Sequence, residues 1–501
     1  MWGMLPKNTN TQSEMEFVSI GELVPENHLL RKVERAIDFE FIREKVKDLY
    51  CPDNGRPAID PVVLFKMLVI GYLFGVRSER QLVREIEVNV AYRWFLGFGL
   101  RDTIPDASTL SQNRRRRFTE STIYQEIFDE IVMQAIKRKL VGGRILYTDS
   151  THLKANANKH KFKQREVHKS TRSYMDDLEK DVNEHRKQHA QKPFKGENKQ
   201  EEMKEVKVST TDPESGYMVR DGKPKGFYYL DHRTVDGKES IITDTYVTAA
   251  NVHDSIPYLG RLDRQEERFG FNIEGVGLDA GYFTPGICKG LEERDIYGVV
   301  GYRRPNHVKG YFYKRDYIYD TQRDSYLCPG GQELKYSTTN REGYREYKSD
   351  SKQCRKCEYL DQCTRSKNKT KVITRHVWQD SKDRIDQHRL SAVGKALYSH
   401  RKETIERSFA DAKQLHGHRY ARMRGLKKVM EQCLLAAACQ NMKKIALVMA
   451  RSFLRLIDNL GLRIVPIWLF QGILGRFYRK IFSRIFNLKN IFSVQIKANP
   501  A

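Results

Sequence analysis

Two short β-type runs, Arg144–Thr151 (RILYTDST) and Ile273–Asp279 (IEGVGLD), put Asp149 and Asp279 at the ends of strands. If the two strands are neighbours, both carboxylates emerge side by side at one edge of a sheet. Either aspartate alone reads as a turn residue or a helix cap. The pair is more demanding, because it requires two segments far apart in the chain to lie next to each other.

The rest of the chain is arranged around these runs. Residues 16–140 read as helices: Pro61 to Gly75 is apolar with proline at its start, and Ser78-Glu-Arg-Gln81 has the form of a capping box opening the next helix. A further helix is signalled from about Ser108 and carries Arg114, Arg115, Arg116 and Arg117, which cannot all be buried. Gly226 to Arg233 and Ser240 to Ala249, joined through Asp236-Gly237, predict a hairpin. Asp254 to Phe269 and Thr284 to Glu293 are helix-like, and Ile296 to Tyr302 reads as another strand, so the class is α/β. Two stretches interrupt the alternation, a charged one over 154–207 and a second near 305–380 that holds four cysteines. The second has too little apolar content to suggest a core of its own. Lys427 to Ala450 is a strongly apolar helix that should pack on the sheet.

At 501 residues the chain should form two to four domains. The expected units are 1–140, helical; 141–304, the first part of the core; 305–380, the cysteine insertion; 381–450, the helical remainder of the core; and 451–501, a basic apolar tail. Lys and Arg number 89 against 64 Asp and Glu, a formal charge of +25 that favours a polyanionic partner. Eight cysteines are too sparse for a disulfide scaffold and fit a reducing cytoplasm. Ile464 to Leu474 is too short to cross a bilayer, so no membrane partner is expected.

A third acid comes from Arg401-Lys-Glu-Thr-Ile-Glu-Arg-Ser-Phe-Ala-Asp-Ala-Lys413. Ile405, Phe409 and Ala412 mark the buried face of a helix, with Glu406 beside it, Lys402 one turn before and Lys413 about two turns after. Two hard-oxygen ligands with a third from elsewhere suit Mg²⁺ or Mn²⁺ and an in-line phosphoryl displacement. A solvated Lys-Glu helix face is the bland alternative.

The segments YTDSTHLKANANKHK, VGLDAGYFTPG and ETIERSFADAKQLHGHRYARMRGL resemble the three acid-bearing motifs of bacterial insertion-sequence DDE transposases. So do GVRSERQLVREIEVNVAYRWFLGFGLRDTIPDASTLSQNRRRRF and STTDPESGYMVRDGKPKGFYYLDHRTVD, and together they span most of residues 16–450. The resemblance implies an RNase H-like mixed-sheet catalytic core behind an all-α end-recognition domain. It also implies metal-dependent cleavage of element ends with strand transfer into target DNA. Carried over, Asp149, Asp279 and Glu406 become the catalytic metal ligands and Lys413 the phosphate-contacting lysine of a Tyr-Arg-Glu-Lys-like helix. Tyr398 and Arg401 fit each other, but Arg401 stands one residue too far from Glu406, so either Arg401 is displaced or Lys402 substitutes. Glu403 is the rival third acid, disfavoured because Ala410 stands where its lysine should be.

Cys354-Arg-Lys-Cys357 has the spacing of a metal knuckle, and with Cys328 and Cys363 it could hold structural Zn²⁺. Arg114 to Arg117, Arg401, Lys402, Lys413 and Arg419 are expected on double-stranded DNA, both element ends and target, in a homodimer or larger assembly at the nucleoid. Two other readings remain: a DNA-binding protein derived from a transposase that no longer cuts, and a metal-dependent DNA nuclease on the same core.

Overall fold

The apolar run that begins at Pro61 forms a helix buried along most of its length, because it has no polar face to offer water. In this computed structural model, which describes residues 17–51, 58–118, 121–168, 175–194, 203–220, 222, 224–302 and 307–459, that helix is the centre of an all-helical N-terminal layer. The layer comprises α1 (Ile20–Leu23), α2 (Leu29–Ala36), α3 (Phe41–Val46), α4 (Pro61–Leu73), α5 (Glu79–Val88), α6 (Val90–Leu96), α7 (Ala107–Asn113) and α8 (Ile123–Lys137). Asp60 accepts the Val62 amide at 2.9 Å and Pro61 occupies the first turn of α4. Ser78 caps α5 through the Gln81 amide, but the Gln81 side chain turns to Glu85, so only half of the expected capping box forms. The arginine run winds as a π-helical turn, Arg114–Phe118. Arg114 pairs with Glu79, and Arg117 bonds Asn113 at 2.5 Å and lies over Tyr50, while Arg115 and Arg116 face outward.

The next elements are β1 (Ile145–Lys154), β2 (Phe162–His168), α9 (Met175–Gln188), β3 (Met203–Ser209), β4 (Gly216–Met218), β5 (Gly226–Asp236), β6 (Ile242–Ala249), α10 (Tyr258–Phe269), β7 (Gly275–Leu278), α11 (Pro285–Glu293) and β8 (Tyr297–Val300). The main sheet runs β4-β5-β1-β7-β8, with β6 also paired to β5. β5 and β6 are the predicted antiparallel hairpin, β1 is antiparallel to β5, and β1, β7 and β8 are parallel. Tyr147 of β1 lies so close over Gly277 of β7 that a Cβ there would meet its ring at 2.6 Å, so the parallel pairing needs glycine at that position.

The charged stretch 154–207, expected as an insertion, contributes β2 and α9, and β2 pairs with β3. The cysteine insertion then folds as an antiparallel meander of β9 (Ile318–Asp320), β10 (Ser325–Leu327), β11 (Glu333–Thr339), β12 (Tyr344–Lys348) and β13 (Val372–His376), with the one-turn helices α12 (Ser351–Cys354) and α13 (Leu360–Cys363) between the last two strands. Contrary to the expectation that it lacks a core, Tyr317, Tyr326, Leu334, Tyr347 and Ile373 are buried together. Tyrosine supplies the apolar area, and the hydroxyls of Tyr319 and Tyr347 find a partner in Asp324. The two insertions dock on each other. Leu178 and Val182 of α9 pack with Trp378, whose indole N–H donates to Asp181 at 2.6 Å.

Four helices complete the described chain: α14 (Gln379–Leu390), α15 (Ala392–Ser399), α16 (Ile405–Leu415) and α17 (Leu426–Asn459). Leu426–Ser452 is long and apolar enough to cross a bilayer, but 67% of its most apolar window is buried inside the protein, as in a core helix. Contact density separates Met1–Ile445 from Ala446–Ala501. Ile464 to Leu474 and the tail from 460 onward lie outside the described residues.

His185 of α9 faces Arg345, and His189 pairs with Asp324 at 3.0 Å. Burial, then Arg345 and His189, push the His185 imidazole from 6.5 down to about 4. Between those values the unfolded segment binds more protons than the docked one, so docking is at full strength above pH 6.5 and weakens as pH falls toward 4. Amide exchange in α9 and β11 should therefore be faster near pH 5 than near pH 7.5 after correction for the intrinsic rate; equal protection would contradict this coupling.

Candidate active site

Because β1 and β7 are parallel with Thr148 opposite Leu278, the next residue of each strand is an aspartate: Asp279 follows the end of β7, whereas Asp149, expected at a strand end, lies mid-strand in β1, still paired with Arg233 of β5. Arg401, in the turn between α15 and α16, reaches both. One terminal nitrogen donates to Asp149 Oδ2 at 2.9 Å and the other lies 3.8 Å from Asp279 Oδ1. Tyr398 supports the guanidinium, its hydroxyl accepting from Arg401 at 3.3 Å. Arg401 was expected on DNA; its side chain is instead only 4% exposed, because two adjacent carboxylates need a cation between them. Its Nε is buried and has no hydrogen-bond partner among the described residues, so the guanidinium is incompletely satisfied.

A third carboxylate, one that sequence reasoning did not single out, belongs to this group. Asp254 accepts from Ser150 Oγ at 2.9 Å, and Arg220 lies 3.9 Å from its other oxygen. It sits in the loop after β6, four residues before α10, although the helix-like stretch in the sequence opens at Asp254 itself. Burial pushes the Asp149 carboxyl up to about 6 although Arg401 pulls it down, and Asp279 and Asp254 add to the rise.

Glu406 lies exposed on the first turn of α16. Asp149, Asp279 and Glu406 do not bring their ligand atoms within 4.8 Å of one another. Glu403 faces His400, 3.4 Å away. Lys402 and Arg419 are exposed, and Lys413 is half-buried.

The four cysteines of the insertion lie in one neighbourhood. A Cβ on Gly330 would meet the sulfurs of Cys357 and Cys328, the Gln332 amide donates to Cys328 at 3.3 Å, and Tyr317 meets Cys363 at 3.2 Å. Their four sulfurs do not form a group mutually within 4.8 Å; the described groups that do are His185, His189, Asp324 and Asp231, His418, Cys433. Arg345 and Arg233 respectively already provide a cation to these two groups.

Two family models match this chain: "Transposase domain (DUF772)" over residues 18–116 and "Transposase DDE domain" over residues 327–446. These two matches make the function that of a DNA transposase with a DDE domain, and DNA its partner. DDE transposase domains use divalent metals. The hard oxygens of Asp149 and Asp279, two carboxylates facing a single guanidinium, fit such an ion. No curated protein matches. Among solved structures, the cryo-EM structure of a piggyBac transposase synaptic complex with hairpin DNA aligns at 11% identity over 92% of this chain and 86% of that one, with a TM-score of 0.33.

Removing Arg401 leaves the two aspartates without their cation, so Arg401→Gln should lower stability by about 1–3 kcal/mol. The loss should be partly recovered by millimolar Mg²⁺ or Mn²⁺, with a larger rise in melting temperature than wild type shows. A variant whose melting temperature does not respond to either ion would contradict the view that guanidinium and metal share one place.

Proposed function

We propose that Asp149, Asp279 and Glu406 are the catalytic ligands of Mg²⁺ or Mn²⁺ in an RNase H-like core, which cuts the ends of its element and joins them to target DNA. The strand order β6-β5-β1-β7-β8, antiparallel on one side of β1 and parallel on the other, supports the core assignment. The observation that carries the site is the shared salt bridge of Asp149 and Asp279 to Arg401. When bound, the divalent ions supply nucleophile activation and charge stabilisation for in-line displacement at phosphorus.

The chain's own contribution is positioning. Asp149 is fixed on β1 and Asp279 directly after the paired β7, and Arg401 offsets part of their charge until they engage a ligand. The first displacement delivers a water oxygen to phosphorus and frees a 3′-hydroxyl. In the second, that hydroxyl attacks a target phosphodiester and the leaving 3′-oxygen takes a proton, with no covalent enzyme intermediate. Arg115, Arg116, Lys402, Lys413 and Arg419 serve as phosphate contacts, and two or more copies assemble on the paired ends. In the cysteine insertion, Cys328, Cys354, Cys357 and Cys363 are taken as ligands of structural Zn²⁺, supported by the amide donated to Cys328 and by the Cys354-Cys357 spacing. The proposed division is an end-recognition domain over 1–140, a core over 141–304 and 381–450, and the insertion over 305–380.

A second reading of the third acid rests on Asp254, whose link to Ser150 holds it beside Asp149. Purified protein incubated with labelled element-end DNA and Mn²⁺ tests both readings. Asp149→Asn, Asp279→Asn and Glu406→Gln should each abolish nicking and joining, by at least about 10³-fold, without loss of DNA binding, whereas Asp254→Asn should retain nicking. Activity surviving in Glu406→Gln but lost in Asp254→Asn would move the third ligand to Asp254. Binding without chemistry in wild type would refute the catalytic reading.

A further inference from the structure

The segment between α16 and α17 is held at nearly every residue, yet it presents an aromatic ring to solvent. His416 bonds the Tyr72 carbonyl, His418 bonds buried Asp231, the Ala421 amide donates to the Lys154 carbonyl, and Gly425 donates to Asp212. Lys154, the last residue of β1, forms a parallel bridge with Tyr420. Tyr420, in the middle of this fixed backbone, is 45% exposed.

The ring has cations near it. Arg77 lies 5.2 Å and the Lys154 ammonium 5.9 Å from its centroid. Beside it opens a groove of about 560 Å³ to which Lys154, Asn156, Asn158, Tyr420 and Arg424 contribute, and no acidic side chain lines it among the described residues. Arg424 is tied by its Nε to the Asn156 carbonyl at 3.0 Å. An exposed cation–π contact contributes only about 0.5–1 kcal/mol, too little to account for the whole arrangement. A flat ring on a stiff backbone, amide groups at its side and several cations around it together have the chemistry of a base-stacking platform.

We propose that Tyr420 stacks on an unpaired nucleobase of bound DNA, with Asn156 and Asn158 facing the base edge and Arg77, Lys154 and Arg424 taking the flanking phosphates. This inference rests on the transposase reading and adds a specific subsite to it. Lys154 lies five positions beyond Asp149 on the same strand, roughly 17 Å at about 3.3 Å per residue. The platform is therefore within a few nucleotides of the candidate cutting site on one continuous DNA. A paired base offers no free face to the ring, so the site selects DNA that is locally unpaired.

The test uses the full chain and two probes of equal length: a short duplex carrying one unpaired 2-aminopurine, and the same duplex fully paired. Wild type should prefer the unpaired probe and quench its fluorescence. Tyr420→Ala should lower affinity for that probe about 5- to 100-fold and abolish the quench, while Tyr420→Phe keeps both and affinity for the paired duplex stays unchanged. Unchanged melting temperatures of both variants confirm that the fold is intact. Three results would overturn the inference and leave the transposase reading standing: no preference in wild type, a preference that survives Tyr420→Ala, or equal loss on both probes. Failure of wild type to bind either DNA would overturn the reading beneath it as well.

Discussion

The parallel pairing of β1 with β7 forces two carboxylates into adjacency, and the buried Arg401 makes that adjacency tolerable. Like charges so close cannot both stay ionised without a compensating cation. The geometry behind this is set deep in the sheet, where Gly277 admits the Tyr147 ring and lets the two strands approach. The elements that deliver Arg401 are placed by the same sheet. α14 and α15 pack over β8 and β7, with Ile385 in the cluster that holds Leu146, Val276, Leu278 and Val300.

The other face of the sheet is organised by fully buried polar groups that bond one another. On β5, Arg233 and His418 hold the Asp231 carboxyl well below the usual carboxylate range although burial alone pushes it up, and Thr245 donates to its second oxygen. Arg233 also donates to Gln440 of α17, while Asn441 both accepts from and donates to the backbone of Ile242. A helix as apolar as α17 could slide on an apolar sheet face. These amide contacts fix its register, and through Gln432 they also fix the segment that carries Tyr420.

Much of this was legible in the sequence because it depends on local pattern. The strands that present Asp149 and Asp279, the hairpin of β5 and β6, the proline-led start of α4 and the helix carrying Glu406 are all signalled by periodicity and caps, although β1 runs five residues past Asp149 to Lys154. Asp254 is read in the sequence only as the opening of a helix, whereas it lies in the loop before α10 and is held by Ser150 of β1. Arg401 reads as a DNA contact through the resemblance to a Tyr-Arg-Glu-Lys-like helix; only the tertiary fold reveals the two acids beside it. The charged insertion was underestimated because α9 needs only Leu178 and Val182 to dock when Trp378 comes from another segment. The tyrosine core of the cysteine insertion was missed because tyrosine counts as apolar only where its hydroxyl finds a partner.

The most direct measurement of the central claim is anomalous scattering from crystals of the protein soaked in Mn²⁺. The account predicts manganese bound by Asp149 and Asp279, with the Arg401 guanidinium withdrawn from at least one of them. Manganese bound elsewhere, or Arg401 still bridging both carboxylates in the soaked crystals, would contradict it.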